Sequence, residues 1–280
     1  MTTRMTTDTQ GATARSAGEQ DTVARDEKTG DAVAEDTGVR GERAEDAVAR
    51  DAEARGEKAE DATAERSRRV LRALEDDHAS VRLRAALEIG SRPHPDHVDA
   101  LVERCAVEPE FPVREMLTWA LTRLPADATV PRLVDEVRSE RTQARRQALH
   151  TLSKVGDREA WSVITRELLA DPDDEVARNA WRAAVVLVPE GEERELAAAL
   201  ATQLGRGGRE TRLSLSRVLI ALGEVIVPVL DGMAGHPDPG VREHALATER
   251  LLRHPDEVFE FTLHEARRAV ALSDLGRAGE

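Results

Sequence analysis

The feature that most constrains the fold of this chain is a short pattern that recurs six times at nearly equal intervals. Each copy is a polar loop, usually rich in Asp, Glu or Pro, that leads into a small or β-branched anchor residue, in most copies followed by Arg. The anchors lie at positions 81, 113, 144, 176, 211 and 241, so successive copies are separated by 32, 31, 32, 35 and 30 residues. A fixed period of this length predicts a stack of similar supersecondary units.

Apolar residues recur around each copy with the period of an α-helix. In the second copy, Val113, Leu117 and Leu121 lie on one helical face. The third and fourth copies keep this spacing with Ala144, Ala148 and Leu152, and with Val176, Ala180 and Ala184. Another helix precedes each copy, often opened by proline or an acidic residue, which the first turn of a helix tolerates. Because aromatic residues make up only 2% of the chain, small aliphatic side chains must form the core, which favours closely packed helices.

The sequence therefore predicts an all-α protein with three parts. Residues 66–272 are expected to form an α-solenoid of about six helical-hairpin repeats, ending in a capping helix from Asp256 to Leu272. Residues 1–65 contain no Leu, Ile, Phe or Trp, so we expect a disordered tail in which Ala and Glu favour only transient helix. Residues 273–280 are expected to be a disordered C-terminus. The tail is interpreted either as an interaction segment or as low-complexity sequence without a specific partner.

The repeating unit resembles the HEAT repeat of bacterial proteins, and especially the short HEAT-like repeat named from bilin lyases. The resemblance rests on the Asp-Pro loops and on the Val-Arg pair that opens the second helix, and it covers residues 66–254. Two copies depart from the pattern, since the fourth has Ala177 in place of Arg and the fifth has a glycine-rich loop without Asp-Pro. The resemblance implies that the second helices line the concave face of the stack.

The loop acids and the helix-start arginines are predicted to form a ladder of ion pairs between neighbouring repeats. In HEAT-type proteins such residues usually have a structural role, and we expect the same role here. The members of this ladder are Asp77, Arg82, Arg114, Arg145, Asp173, Arg212, Asp238 and Arg242.

The helix face opposite the core supplies the candidate partner-binding residues. Positions six residues after each anchor point away from the core at about 100° per residue. They include one tryptophan and several basic side chains, and further arginines stand two or nine residues after three of the anchors. Tryptophan and arginine are enriched at binding hot spots, although an ordinary solvated helix face is the alternative. The candidates are Trp119, Arg146, His150, Arg178, Arg182, Arg217 and Arg250.

Charge and composition argue against several classes of function. The tail has 9 basic and 17 acidic side chains, and it accounts for −8 of the net charge of −14, so the repeats are mildly acidic. A mildly acidic surface opposes broad binding of nucleic acid. The single cysteine, Cys105, is expected to be a small buried hydrophobe. His94, Asp96 and His97 lack a fourth metal ligand. Without an apolar leader or a membrane span, the chain is expected to be cytoplasmic.

Together these features favour a non-enzymatic scaffold that binds a protein or an acidic peptide in the groove of the solenoid. No catalytic triad, phosphate loop or metalloprotease motif occurs, and no cofactor is expected. Two alternatives use the same fold: a nucleic-acid-binding module related to DNA glycosylases, for which Trp119, Trp161 and Trp181 supply aromatics, and a bilin-lyase-like activity. The sequence leaves the oligomeric state open.

Overall fold

The computed structural model describes residues 31–254, with side chains from residue 53 onward. Contacts divide the chain into two units, Met1–Thr63 and Ala64–Glu280. Within the described residues all regular structure is helical, as the sequence predicts, and no strand occurs. No helix in this part of the chain is long and apolar enough to span a membrane.

Six helical hairpins follow one another in the second unit, which confirms the predicted α-solenoid. In each hairpin an outer helix precedes the recurring loop and an inner helix follows it. The inner helices are α2 (Ala79–Ser91), α4 (Phe111–Leu121), α6 (Thr142–Val155), α8 (Asp174–Leu187), α10 (Arg209–Ala221) and α12 (Pro239–Arg253). The outer helices are the end of α1 (Asp31–Leu74), α3 (Val98–Val107), α5 (Ala126–Val137), α7 (Arg166–Leu169), α9 (Glu193–Ala201) and α11 (Val227–Met233). Short 3-10 helices at Pro95–His97, Arg158–Val163 and Gly223–Ile226 precede α3, α7 and α11.

The core lies between the two helical layers and is built from small aliphatic side chains. Every residue that the sequence placed on the core face in the second, third and fourth repeats is buried. The core of the described part also holds one tryptophan, Trp181, which is fully buried and donates its indole N–H to the carbonyl of Leu169 over 2.8 Å. A buried hydrogen bond from the amide of Gln147 to the hydroxyl of Thr118, also 2.8 Å long, links α6 to α4. The repeats are therefore joined by apolar contact and by a few satisfied polar groups.

The helix-start arginines brace the loops of their own repeats. Arg82 donates from one guanidinium nitrogen to the carbonyls of Asp76 and Asp77, over 2.8 and 2.9 Å. Arg114, Arg145 and Arg242 make the same two bonds to the carbonyls six and five residues before them. These bonds satisfy loop carbonyls that have no helical partner, so the arginine after the anchor fixes the turn between outer and inner helix in four of the six repeats.

The acidic partners of the predicted ladder differ from those in the structure. Asp173 and Asp238 accept hydrogen bonds from backbone N–H groups at the starts of α8 and α12. They act as helix caps because they directly precede those helices, where the unpaired N–H groups are nearest. Asp77 takes part through its backbone carbonyl, which accepts a hydrogen bond from Arg82. Ion pairs that join neighbouring repeats use other acids, as in Arg82–Glu108 at 2.7 Å and Arg145–Asp171 at 3.3 Å.

Arg206 supplies the loop brace that the fourth repeat lacks. The residue at the bracing position of that repeat is Ala177, and the carbonyl six residues before it belongs to Asp171. Arg206, from the glycine-rich loop of the fifth repeat, donates to this carbonyl and pairs with the carboxylate of Asp174 at 2.9 Å. Arg212, the predicted ladder residue of the fifth repeat, has its Nε buried without a hydrogen-bond partner. The missing arginine of the fourth repeat and the glycine-rich loop of the fifth repeat are thus linked through Arg206.

The ends of the chain bear on the predicted domain boundaries. Helix α1 includes residues 31–65, which the sequence assigned to the tail, so the predicted boundary falls within a helix. Between residues 53 and 69 of α1 nearly all side chains are exposed, and burial begins at Val70. Residues 1–30, the predicted capping helix and residues 273–280 lie outside the described part. The three-part division of the chain stays a prediction.

Candidate functional site

Two open depressions lie side by side on the inner helices of the second to fifth repeats. The first has a volume of about 260 Å³ and is lined by residues of α4, α6 and α8, including Arg146, His150 and Arg182. The second has a volume of about 530 Å³ and is lined by residues of α8 and α10, including Arg178, Arg182 and Arg217. Arg182 lies in both. We call this surface the inner groove, and it brings together five of the seven candidate partner-binding residues.

Three arginines of the inner groove are not held by other side chains of the described part. Among residues 53–254, the guanidinium groups of Arg146, Arg182 and Arg217 form neither an ion pair nor a hydrogen bond. We call these three residues the groove arginines. Arg146 and Arg182 are partly buried, and Arg217 is exposed. Burial and the nearby charge of Arg178 both lower the pKa of Arg182, whereas the charge of Glu175 raises it. An anionic group bound here would raise this pKa as Glu175 does.

Two further basic residues of the groove, Arg178 and His150, lie close to acids of the same surface. Arg178 pairs with Glu175 at 2.7 Å and lies 3.8 Å from Glu210. Nε2 of His150 lies 3.4 Å from a carboxylate oxygen of Glu115, without the geometry of a hydrogen bond. Burial lowers the pKa of His150, and this effect outweighs the nearby Glu115. His150 is therefore neutral near pH 7, and the positive charge of the groove comes from arginine.

Trp119 has a packing role that the sequence did not indicate. A Cβ atom at Gly90 of α2 would come within 2.3 Å of the indole ring, so the ring lies directly on that glycine. Its exposed fraction is 38%, and it lines neither depression of the inner groove. An exposed apolar side chain of the groove is Phe111, which is 64% exposed and has the guanidinium of Arg114 over its ring, 5.8 Å from the centroid. Its place at the very start of α4, before the anchor, explains why helical periodicity overlooked it.

The remaining candidate residues lie away from the inner groove. Arg250 is exposed on α12 and lines a separate depression with Leu246 and Arg253. Trp161, on the outer layer, donates its indole N–H to Glu192 over 2.9 Å. With Trp181 in the core, none of the three tryptophans lines the two depressions, so the aromatic set required by the DNA glycosylase alternative is not assembled there.

Reactive or metal-binding groups are scarce in the described part. Cys105 is buried, as predicted, and burial raises the pKa of its thiol, which keeps it protonated. Residues 53–254 contain no cluster of three or more His, Cys, Asp or Glu side chains that could hold a metal ion. His94 caps the 3-10 helix that follows it, while His97 is buried with Nε2 located 2.6 Å from the hydroxyl of Ser67.

The repeats match a known family of sequences. A family model described as HEAT repeats matches residues 67–136 and, in a second overlapping match, residues 106–186. Residues 67–186 are HEAT repeats. This range ends within α8, so it contains the first three hairpins and most of the fourth. No curated protein matches the chain.

Several solved structures are similar to this chain at low sequence identity. A chain in the complex of CpcE and CpcF of phycocyanin lyase from Nostoc sp. PCC7120 is 18% identical, with a TM-score of 0.40 over 64% of this chain and 74% of that one. An engineered protein is 19% identical, with a TM-score of 0.37 over 64% and 56%. A designed armadillo repeat protein in complex with the peptide (KR)4 is 16% identical, with a TM-score of 0.26 over 65% and 80%. The family match identifies the repeats independently of these structures.

Proposed function

We propose that the protein is a non-enzymatic scaffold whose inner groove binds an acidic segment of a partner protein. The observation that carries this proposal is the position of the three groove arginines on three successive inner helices, where none of them forms an ion pair within residues 53–254. A guanidinium binds a carboxylate through paired hydrogen bonds, which makes a carboxylate a fitting partner.

The composition of the groove favours a peptide over nucleic acid. Five arginines line the two depressions, but Glu115, Glu175 and Glu210 stand among them. The net positive charge is therefore small, whereas binding to a nucleic-acid backbone relies on many phosphate contacts. Phe111 adds an exposed apolar surface next to the basic residues. A segment that combines carboxylates with an apolar side chain matches both features.

The experiment compares two triple variants of the full chain in binding to a labelled glutamate-rich peptide. In the groove variant, Arg146, Arg182 and Arg217 are each replaced by Gln. In the control variant, Arg123, Arg158 and Arg194, which are exposed and line neither depression, are replaced in the same way. Both variants lose the same charge, so general attraction changes equally and only the location differs.

We expect the groove variant to bind the peptide at least roughly tenfold more weakly than the control variant, because charge-assisted hydrogen bonds are lost. Equal affinities of the two triple variants would contradict the proposal. Duplex DNA provides a second ligand in the same assay. If the wild-type chain binds DNA more tightly than the peptide, with an affinity that falls steeply as salt rises, the nucleic-acid alternative is correct.

A further inference from the structure

The groove arginines are contributed by three successive inner helices, which sets a spacing for the ligand. Arg146 belongs to α6, Arg182 to α8 and Arg217 to α10, and α8 packs against both neighbours. Packed helices lie about 8–10 Å apart. One guanidinium is therefore presented per repeat, at intervals of about that distance. Arg146 is displaced by one helical turn relative to the other two, an offset that its long side chain can span.

An extended left-handed chain of the polyproline II type presents side chains at this interval. It rises about 3.1 Å per residue with three residues per turn, so every third side chain lies on the same face, about 9.3 Å from the previous one. A β-strand returns to the same face at every second residue, about 6.8 Å further on. Of these two extended forms, polyproline II returns its side chains to one face at an interval that matches the spacing of the helices.

The acidic residues of the groove favour a ligand whose carboxylates are separated by neutral residues. Glu115 lies beside the first depression, Glu175 is paired with Arg178, and Glu210 lies near Arg178 in the second depression. A ligand with continuous acidic residues would bring carboxylates close to these three. Like charges in contact disfavour binding. Neutral residues between the carboxylates avoid this repulsion.

We propose that the inner groove selects an acidic segment in the polyproline II conformation with a carboxylate at every third residue and neutral residues between. This inference rests on the proposed function and specifies its ligand. Three such carboxylates face Arg146, Arg182 and Arg217 in turn, and one apolar residue beyond the first carboxylate reaches Phe111.

The test measures binding of full-length protein to four labelled peptides by fluorescence anisotropy. The matched peptide is Trp-Pro-Pro-Glu-Pro-Pro-Glu-Pro-Pro-Glu, in which proline enforces the conformation and tryptophan supplies the apolar end. The second peptide has the same composition with its three glutamates adjacent. The third has two glutamates moved by one position, so that successive carboxylates point to different faces. The fourth is an alanine-rich helix with glutamate at every seventh residue, a spacing of about 10.5 Å along one helical face.

We expect the matched peptide to bind roughly tenfold or more tightly than the second and third peptides, because each of these loses at least one charge-assisted contact. It should also bind more tightly than the helical peptide, whose carboxylates stand further apart than packed helices do. The preference should disappear in the Arg182→Gln variant and persist in Arg194→Gln. Equal binding of all four peptides would overturn the spacing while leaving the proposed function in place. Tighter binding of the helical peptide would overturn the extended conformation. If none of the four binds, the proposed function itself fails.

Discussion

Glu108 is a fully buried carboxylate that ties the first repeat to the second. It accepts two hydrogen bonds of 2.7 Å from Arg82 of the first repeat and one of 2.8 Å from Arg104 of its own repeat. Burial alone would raise the pKa of Glu108, but the hydrogen bonds from Arg82, from the backbone N–H of Glu110 and from Arg104 lower it to about 2. The pair is satisfied as a unit, so losing either member leaves a buried charge.

We predict that Glu108→Gln lowers the free energy of unfolding by roughly 3–5 kcal/mol, because the buried guanidinium of Arg82 loses its counter-charge. Denaturant unfolding followed by circular dichroism measures this loss. Glu110→Gln is the matched control, since Glu110 is exposed and two residues away. An equally small loss in both variants would show that the pair is not important for stability.

His244 holds the last two repeats together as a neutral ring. Its Nδ1 accepts a hydrogen bond from the backbone N–H of Gly205 over 3.0 Å, and its Nε2 donates to the carbonyl of Arg212 over 2.9 Å. Only the neutral tautomer with a proton on Nε2 makes both bonds. Burial lowers the pKa of His244 below the ordinary value of 6.5, and although the bond to the Arg212 carbonyl raises it, the charge of Arg212 lowers it further.

This geometry predicts that the protein becomes less stable as pH falls below about 6.5. Below that pH the imidazole of His244 is protonated in the unfolded chain but stays neutral in the folded protein. The folded state therefore loses stability as pH falls, until the pH reaches the lowered pKa. Burial also lowers the pKa values of His97 and His150, which act in the same direction. Unfolding free energies measured across this range should vary less with pH in His244→Gln than in wild type. The control variant is His254→Gln, since His254 is exposed. A pH dependence in His244→Gln that equals the wild-type dependence would contradict this role.

At the scale of secondary-structure elements, the coupling between the fourth and fifth repeats is unusual. Four repeats brace their own loop with the arginine that follows the anchor, whereas the fourth repeat is braced by Arg206 of the next repeat. The glycine-rich loop makes this reach possible. Gly205 and Gly207 have φ values of 82° and 67°, in the region that favours glycine.

We predict that Arg206→Ala destabilises the fold by about 1–3 kcal/mol, because the carbonyl of buried Asp171 loses a hydrogen bond and Asp174 loses its ion pair. Introducing Ala177→Arg restores the usual bracing residue. A double-mutant cycle should show that Ala177→Arg is less harmful in the Arg206→Ala background than alone, because the two guanidinium groups compete for one carbonyl. Additive effects of the two substitutions would mean that Arg206 does not replace the missing arginine.

The repeat period and the core face could be predicted from sequence because both depend on helical spacing alone. The partners of the bracing arginines could not, since loop conformation brings backbone carbonyls closer than the predicted aspartates. The role of Arg206 was hidden because its target lies 35 residues earlier and in another repeat. Phe111 was missed because it precedes the anchor, and Trp119 was assigned to the groove because periodicity does not reveal the contact with Gly90.

At the scale of the whole molecule, some arginines of the described part form ion pairs and others form none. The chain has 54 acidic and 40 basic side chains, yet the inner groove keeps three arginines without an acidic partner in the described part. Structural arginines elsewhere in the stack, such as Arg82 and Arg145, are paired with acids and carbonyls. What distinguishes the groove arginines is their position, because they lie on three successive inner helices and line one surface.

A charge-swap experiment tests this claim most directly. The middle of the three groove arginines is Arg182, so it faces the middle carboxylate of the matched peptide whichever way the peptide runs. We predict that Arg182→Glu weakens binding of that peptide roughly tenfold or more, and that a peptide with Lys in place of the middle Glu then binds the variant more tightly than it binds wild type. Binding of the Lys peptide that is no tighter to Arg182→Glu than to wild type would contradict direct contact between Arg182 and the ligand.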